Sequence, residues 1–188
     1  MLLRIAITVT LIYVGCISAE EISAIIINYY AVVIDAGSTG SRSFVLNITM
    51  QPNVAYSRHL TSITREKVRP GLSSFSDRPL DAVEYIAPLL VDAATVIPEQ
   101  YHSSTQVFIK GTAGMRLLDA NKQKDIWDAI YHGLNSKETI PFRIEYDNLG
   151  TINGHQEAYY AVLSSNYIEG SINGDLRYTM IKFYIFHN

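Results

Sequence analysis

Apolar and polar positions change period several times along this chain, and the changes mark its elements. Val32, Val33 and Ile34 form an apolar run that ends in the carboxylate of Asp35. Small residues fill 36–40, and apolar positions resume at Phe44, Val45 and Leu46. That pattern predicts a strand over 31–34, buried on both faces, a tight turn, and a second strand over 43–47. Pro52 and Asn53 mark another reversal, and 54–57 is the expected third strand of a meander. The stretch 67–75 is irregular by its Pro70-Gly71 pair. Val83, Ile86, Ala87, Leu90, Ala94 and Ile97 then recur at helical steps, which predicts a helix over 80–97 with Asp77 or Asp81 as its cap and a kink or break at Pro88. A strand over 106–110 enters a small-residue turn at Gly111. A helix over 121–134 follows, with Ile126, Ile130 and Leu134 on one face and Trp127 and Tyr131 beside them. Pro141 opens a predicted strand over 142–146, and Gly154 a helix to about 165. No repeat or low-complexity segment is present.

The termini differ in texture from this body. Residues 5–19 are uncharged and mostly apolar, and Glu20 and Glu21 end the run. A spanning helix takes about 20 such residues, so 1–19 reads as a signal peptide ending near Ala19, or as a short uncleaved anchor. Either sends the remainder into the secretory pathway. Cys16, the one cysteine, lies in that segment. Asn47-Ile48-Thr49 is a glycosylation sequon that a lumenal location makes usable. Residues 171–188 have no helical period and stand apart as an aberrant tail or an edge strand. With 188 residues, 48% hydrophobic composition and net charge −3, the chain has the makings of a globular domain. It carries no basic run or stripe that would point to nucleic acid.

Three stretches carry candidate chemistry. In the first, Gly37 and Gly40 permit unusual backbone angles and Ser38, Thr39 and Ser41 supply hydroxyls, so the turn after Asp35 is either a phosphate cradle or an ordinary Gly-rich hairpin. The second is Gly111-Thr112-Ala113-Gly114-Met115-Arg116, also a strand followed by a small-residue turn. The third is Gly154-His155-Gln156-Glu157, a carboxylate at a helix start. Two such turns and two carboxylates are the parts a metal–nucleotide site requires. His155 reads as surface, Lys110 as a strand-end charge, and Arg116 as a structural ion-pair residue rather than a phosphate ligand.

Taken together the three stretches resemble the apyrases, or nucleoside triphosphate/diphosphate diphosphohydrolases. Residues 35–42 are similar to that family's first motif, 110–118 to its second with Gly111 where Ala is usual, and 152–170 to its third. Residues 69–75 and Ile97-Pro98 also match, so the resemblance runs over 30–170. The match at 70–73 and in the third motif separates this reading from polyphosphate phosphatases and sugar kinases of the same superfamily. The resemblance implies an α/β, actin/hexokinase-like (ribonuclease H-like) lobe with a mixed five-stranded sheet and flanking helices. It implies that Gly37, Ser38, Thr39 and Gly40 hold phosphate, that Asp35 and Thr112 organise Ca²⁺ or Mg²⁺ through water, and that Glu157 is the general base. The expected substrate is a nucleoside di- or triphosphate, and the expected location the Golgi/ER lumen, cell surface or exterior.

Two departures stand in the third motif: Ala158 follows the expected base where Gly is usual, and Val162 replaces Trp. The family's fourth motif, from a second lobe, has no match after Gly170. The expectation is a truncated form lacking the second lobe and not turning over, with a catalytically dead lumenal binding fragment as the alternative.

Overall fold

The computed structural model describes residues 27–50, 58–64 and 67–168. The expected signal or anchor, the reversal at Pro52, the third strand at 54–57 and the tail at 171–188 lie outside the described residues. Among the described residues no helix is long and apolar enough to cross a membrane.

Strand β1 (Ile27–Gly37) pairs antiparallel with β2 (Gly40–Met50), which pairs antiparallel with β3 (Arg58–Thr64). Helix α1 (Pro79–Ala94) then crosses to β4 (Gln106–Gly111), parallel to β1 on its other side. A four-residue turn of helix, α2 (Ala113–Arg116), and a longer helix, α3 (Ala120–Asn135), lead to the short edge strand β5 (Leu149–Thr151), parallel to β4. Helix α4 (Gly154–Ile168) closes the described chain. The sheet order is β3-β2-β1-β4-β5. The expected α/β class, a mixed sheet with helices against it, is therefore what the chain adopts.

The core lies between one face of the sheet and α1 and α3. Val32, Ile34 and Ala36 of β1, Val107 and Ile109 of β4, and Leu149 of β5 cluster there with Ile86, Leu90, Ile126, Ile130 and Leu134. The stripe expected on α3 is the buried one. Gly133 brings the helices together: a Cβ on it would stand 2.5 Å from Val83 Cγ2. Trp127, 6% exposed, donates its indole N–H to Thr151 Oγ1 at 3.2 Å, joining α3 to β5.

Several expectations are corrected. Neither Asp77 nor Asp81 caps α1. Arg78 holds the cap position without a side-chain bond, Pro79 opens the helix where its missing N–H costs nothing, and the two aspartates form ion pairs with Lys122 and Arg78. The helix continues through Pro88 to Ala94, and Ile97 is buried beyond its end. Residues 142–146 are not a strand. Phe142 and Ile144 are buried and Arg143 and Glu145 exposed, which mimics strand alternation, but the backbone partner is a side chain. Asn135 accepts the Ile144 N–H at 3.1 Å and donates to the Ile144 carbonyl at 3.0 Å. The edge strand lies later, at β5. Asn47 of the sequon sits in β2 between Tyr30 and Thr61, half-buried.

Candidate active site

Because β1, β4 and β5 run parallel, their carboxyl ends share one edge of the sheet, where open α/β sheets place ligands. The first candidate loop leaves β1, the second leaves β4, and the third leaves β5. Cross-bonds tie the exits together: Thr112 N–H donates to the Ala36 carbonyl at 3.1 Å, and Ile152 N–H to the Gly111 carbonyl at 2.9 Å.

The first loop is a two-residue hairpin, Ser38-Thr39, with Gly37 opposite Gly40 and Asp35 opposite Arg42. Ser38 and Thr39 are exposed, while glycines pack behind them. Gly40 has φ 151°, and a Cβ there would lie 2.2 Å from the Val68 carbonyl oxygen. A Cβ on Gly71 would lie 2.2 Å from the Ser38 carbonyl oxygen, and one on Gly114 2.8 Å from Ser38 Cα. Lys67 Nζ donates to Thr39 Oγ1 at 2.5 Å. The arm 67–71 is itself fastened to β2: Ser41 and Val68 exchange backbone bonds of 2.9 Å. Tyr85 on α1 accepts the Ser41 N–H at 3.1 Å and sets its hydroxyl 2.5 Å from the Pro70 carbonyl. The loop is thus exposed at its tip and closely backed everywhere else.

Thr112 occupies the cap position of α2, but its hydroxyl makes no cap bond. It lies within 4.0 Å of where a Cβ on Gly37 would stand, so the hydroxyl faces the first loop. Asn153 and Gln156 build a capping box at the start of α4, each side chain accepting the other's backbone N–H at 2.9 Å. That box sets the first turn, in which Glu157 N–H bonds the Asn153 carbonyl at 3.0 Å. Arg116 Nη1 reaches from α2 to Glu157 Oε2 at 2.8 Å.

Asp35 and Glu157 face a common space. Desolvation by the surrounding protein, and after it the Glu157 charge, raise Asp35 above the ordinary carboxylate range, while Lys67 and Arg42 pull the other way. A carboxyl whose ionisation is discouraged by burial and by the Glu157 charge, beside exposed hydroxyls and backbone, suits a hard hydrated cation. Among the described residues no cluster of three or more His, Cys, Asp or Glu side chains could ligate a metal directly. The donor set fits an ion that keeps its waters and takes further oxygens from phosphate.

All seven sequence-predicted site residues, Asp35, Gly37, Ser38, Thr39, Gly40, Thr112 and Glu157, therefore gather at this edge. Arg116 forms the ion pair expected of it. Lys110 stands at the end of β4 as expected, but it is buried. It is 6% exposed, and burial lowers its pKa while Asp147 pulls the other way. It lines a cavity of about 300 Å³ with Asp147, Gly150 and Gln156, which contains neither Asp35 nor Glu157. His155 is exposed, as expected. Ala158 and Val162, the departures in the third motif, are both exposed, Val162 by 60%. Sequence reading missed Lys67, Gly71 and Tyr85 as parts of the loop's support. The Pro-Gly pair at 70–71 was the available signal for the second of these.

Three curated relatives share this chain's pattern. It is 38% identical over 161 residues to the Golgi apyrase of Saccharomyces cerevisiae, covering 77% of this chain and 25% of that protein. It is 38% identical over 147 residues to the nucleoside-triphosphatase ntp-1 of Caenorhabditis elegans, covering 75% and 26%. It is 38% identical over 148 residues to the guanosine-diphosphatase of Candida albicans, covering 77% and 24%. The matched region thus spans about a quarter of the length of these relatives. A solved structure of nucleoside triphosphate hydrolases from Neospora caninum superposes with TM-score 0.56 at 15% identity, over 90% of this chain and 36% of that one. That likeness concerns the fold, an actin/hexokinase-like lobe. The GDA1/CD39 (nucleoside phosphatase) family model matches residues 27–182, and the chain belongs to that family.

Proposed function

We propose that this chain carries the phosphate-loop side of an apyrase-like site, at which water attacks the terminal phosphate of a nucleoside di- or triphosphate. The observation that supports this most is the arrival of Asp35, Thr112 and Glu157 at the carboxyl ends of three adjacent parallel strands. Ser38, Thr39 and the backbone of Gly37 and Gly40 receive the phosphate oxygens, and Lys67 beside Thr39 adds positive charge. Asp35 and Thr112 would hold a hydrated Mg²⁺ or Ca²⁺ through its waters; when bound, such an ion neutralises charge on the transferred group. Glu157 takes a proton from the attacking water as the new P–O bond forms. The anhydride P–O bond breaks and its electron pair leaves with the nucleotide. Little covalent chemistry falls to the protein in such a transfer, which is mainly placement and charge. The names of the yeast apyrase and the guanosine-diphosphatase support a secretory-lumen location, as does the apolar segment 1–19.

Phosphate release from nucleoside di- and triphosphates tests this on the purified chain, with Mg²⁺ or Ca²⁺ and with Glu157→Gln alongside. The expected result is metal-dependent release that falls roughly 10²- to 10⁴-fold in the variant. Equal background in both overturns the hydrolase reading. Metal-dependent nucleotide binding with that background identifies a binding fragment instead.

A further inference from the structure

The geometry points to Arg116 as a positioning residue that aims the Glu157 carboxylate at the attacking water, an inference that rests on the reading of Glu157 as the base. One nitrogen, Nη1, makes both of its contacts across the gap from α2: to Glu157 Oε2 at 2.8 Å and to the Ile152 carbonyl at 3.1 Å. Its two hydrogens are thereby committed to the same junction, one to the backbone where β5 ends and one to the side chain in the first turn of α4. A carboxylate gripped alone could swing with its partner. Here the grip is referenced to the sheet, because Ile152 N–H is bonded to Gly111 at the end of β4.

Stability does not account for the arrangement. The side chains are 31% and 44% exposed, and an ion pair that open contributes about 0–1 kcal/mol. What the contact does is restrict the Glu157 rotamer, and misplacing a catalytic group by about an ångström can cost 10²-fold in rate. The second motif thus orients the reactive group of the third.

The test uses the 188-residue chain with Arg116→Ala, Arg116→Lys, Glu157→Gln and the Arg116→Ala/Glu157→Gln double variant. For Arg116→Ala, kcat falls roughly 10- to 100-fold while KM and the unfolding midpoint stay near wild type. Arg116→Lys is intermediate, since an ammonium is a point charge on a flexible stem and lacks the planar fork. The double variant is no slower than Glu157→Gln alone. A rise in KM with kcat unchanged would make Arg116 a phosphate ligand and overturn the inference, as would additive losses in the double variant. Amide exchange at Gln156 and Glu157 provides a reading independent of turnover. Both exchange faster in Arg116→Ala than in wild type, and unchanged exchange sinks the clamp even if the chain hydrolyses nothing. An inactive wild type with accelerated exchange in the variant would remove the hydrolase reading and leave the clamp standing.

Discussion

Asp35 is the residue whose environment departs most from what its position at a strand exit suggests. It faces solvent, yet the protein around its carboxyl and the Glu157 charge both favour its protonated form. Folded Asp35 therefore holds a proton more tightly than an unfolded aspartate with its pKa of 3.8. In the folded state more protons are bound over the interval from that value up to the raised folded pKa, so stability falls as pH rises through it. In the metal-free chain, Asp35→Asn is expected to unfold at a higher temperature than wild type at neutral pH. The two melting curves should converge once the pH drops below the unfolded-state value. A variant less stable than wild type at neutral pH would show that Arg42 and Lys67 dominate instead. The gathering of the candidate residues at one end of the sheet was legible in the sequence, since carboxylates, hydroxyls and glycines recur there at strand exits and a helix start. Lys67 and Tyr85 were not, because a lysine in an irregular stretch and a tyrosine on a helix carry no local sign of what they touch across 28 or 44 residues of chain.

Among the elements, the segment before β5 shows where pattern reading loses its hold. Phe142 and Ile144 alternate with charged residues as a half-buried strand would, and burial follows that alternation. Alternation reports which side chains are covered; it does not say what pairs with the backbone. Asn135, the last residue of α3, supplies both bonds to Ile144 that a neighbouring strand would have made. Asn135→Ala leaves that N–H and carbonyl without these partners beside a buried Ile144. The expected loss is about 1–3 kcal/mol, read as a lower denaturant midpoint with an unchanged m-value. A shift within error would mean that solvent satisfies both groups. The helices were easier to read because their stripes face a single sheet: Ile126, Ile130 and Leu134 are where the period put them. Their ends were harder, as Arg78 in place of an aspartate cap shows.

Across the whole molecule, the loop proposed to take phosphate is held by parts distant in sequence, and Gly71 is, with Gly40, one of its two tightest points of contact. A methyl group there would meet the Ser38 carbonyl at 2.2 Å, and the backbone has nowhere to retreat because Gly114 closes on Ser38 from another side. Gly71→Ala is expected to lower the melting temperature and to abolish nucleotide binding while circular dichroism stays native-like. Normal binding by the folded variant would show that the loop tolerates displacement. This closeness also explains why composition left the turn after β1 ambiguous between a hairpin and a phosphate cradle. Its geometry is a hairpin, and what sets it apart comes from segments 30 to 80 residues away.

The indole at position 127 has a use unconnected with its packing. It is the chain's one tryptophan, shielded from water and joined to Thr151, and a Cβ on Gly111 would stand 3.0 Å from its Cζ2. The fluorophore thus lies at the base of two of the three strand ends that form the site, behind the residues proposed to meet the nucleotide. Intrinsic emission excited at the red edge of the protein band comes from that single position, free of averaging over other indoles. The molecule thereby carries its own optical gauge of the β4–β5 junction, readable without a label or a substituted side chain.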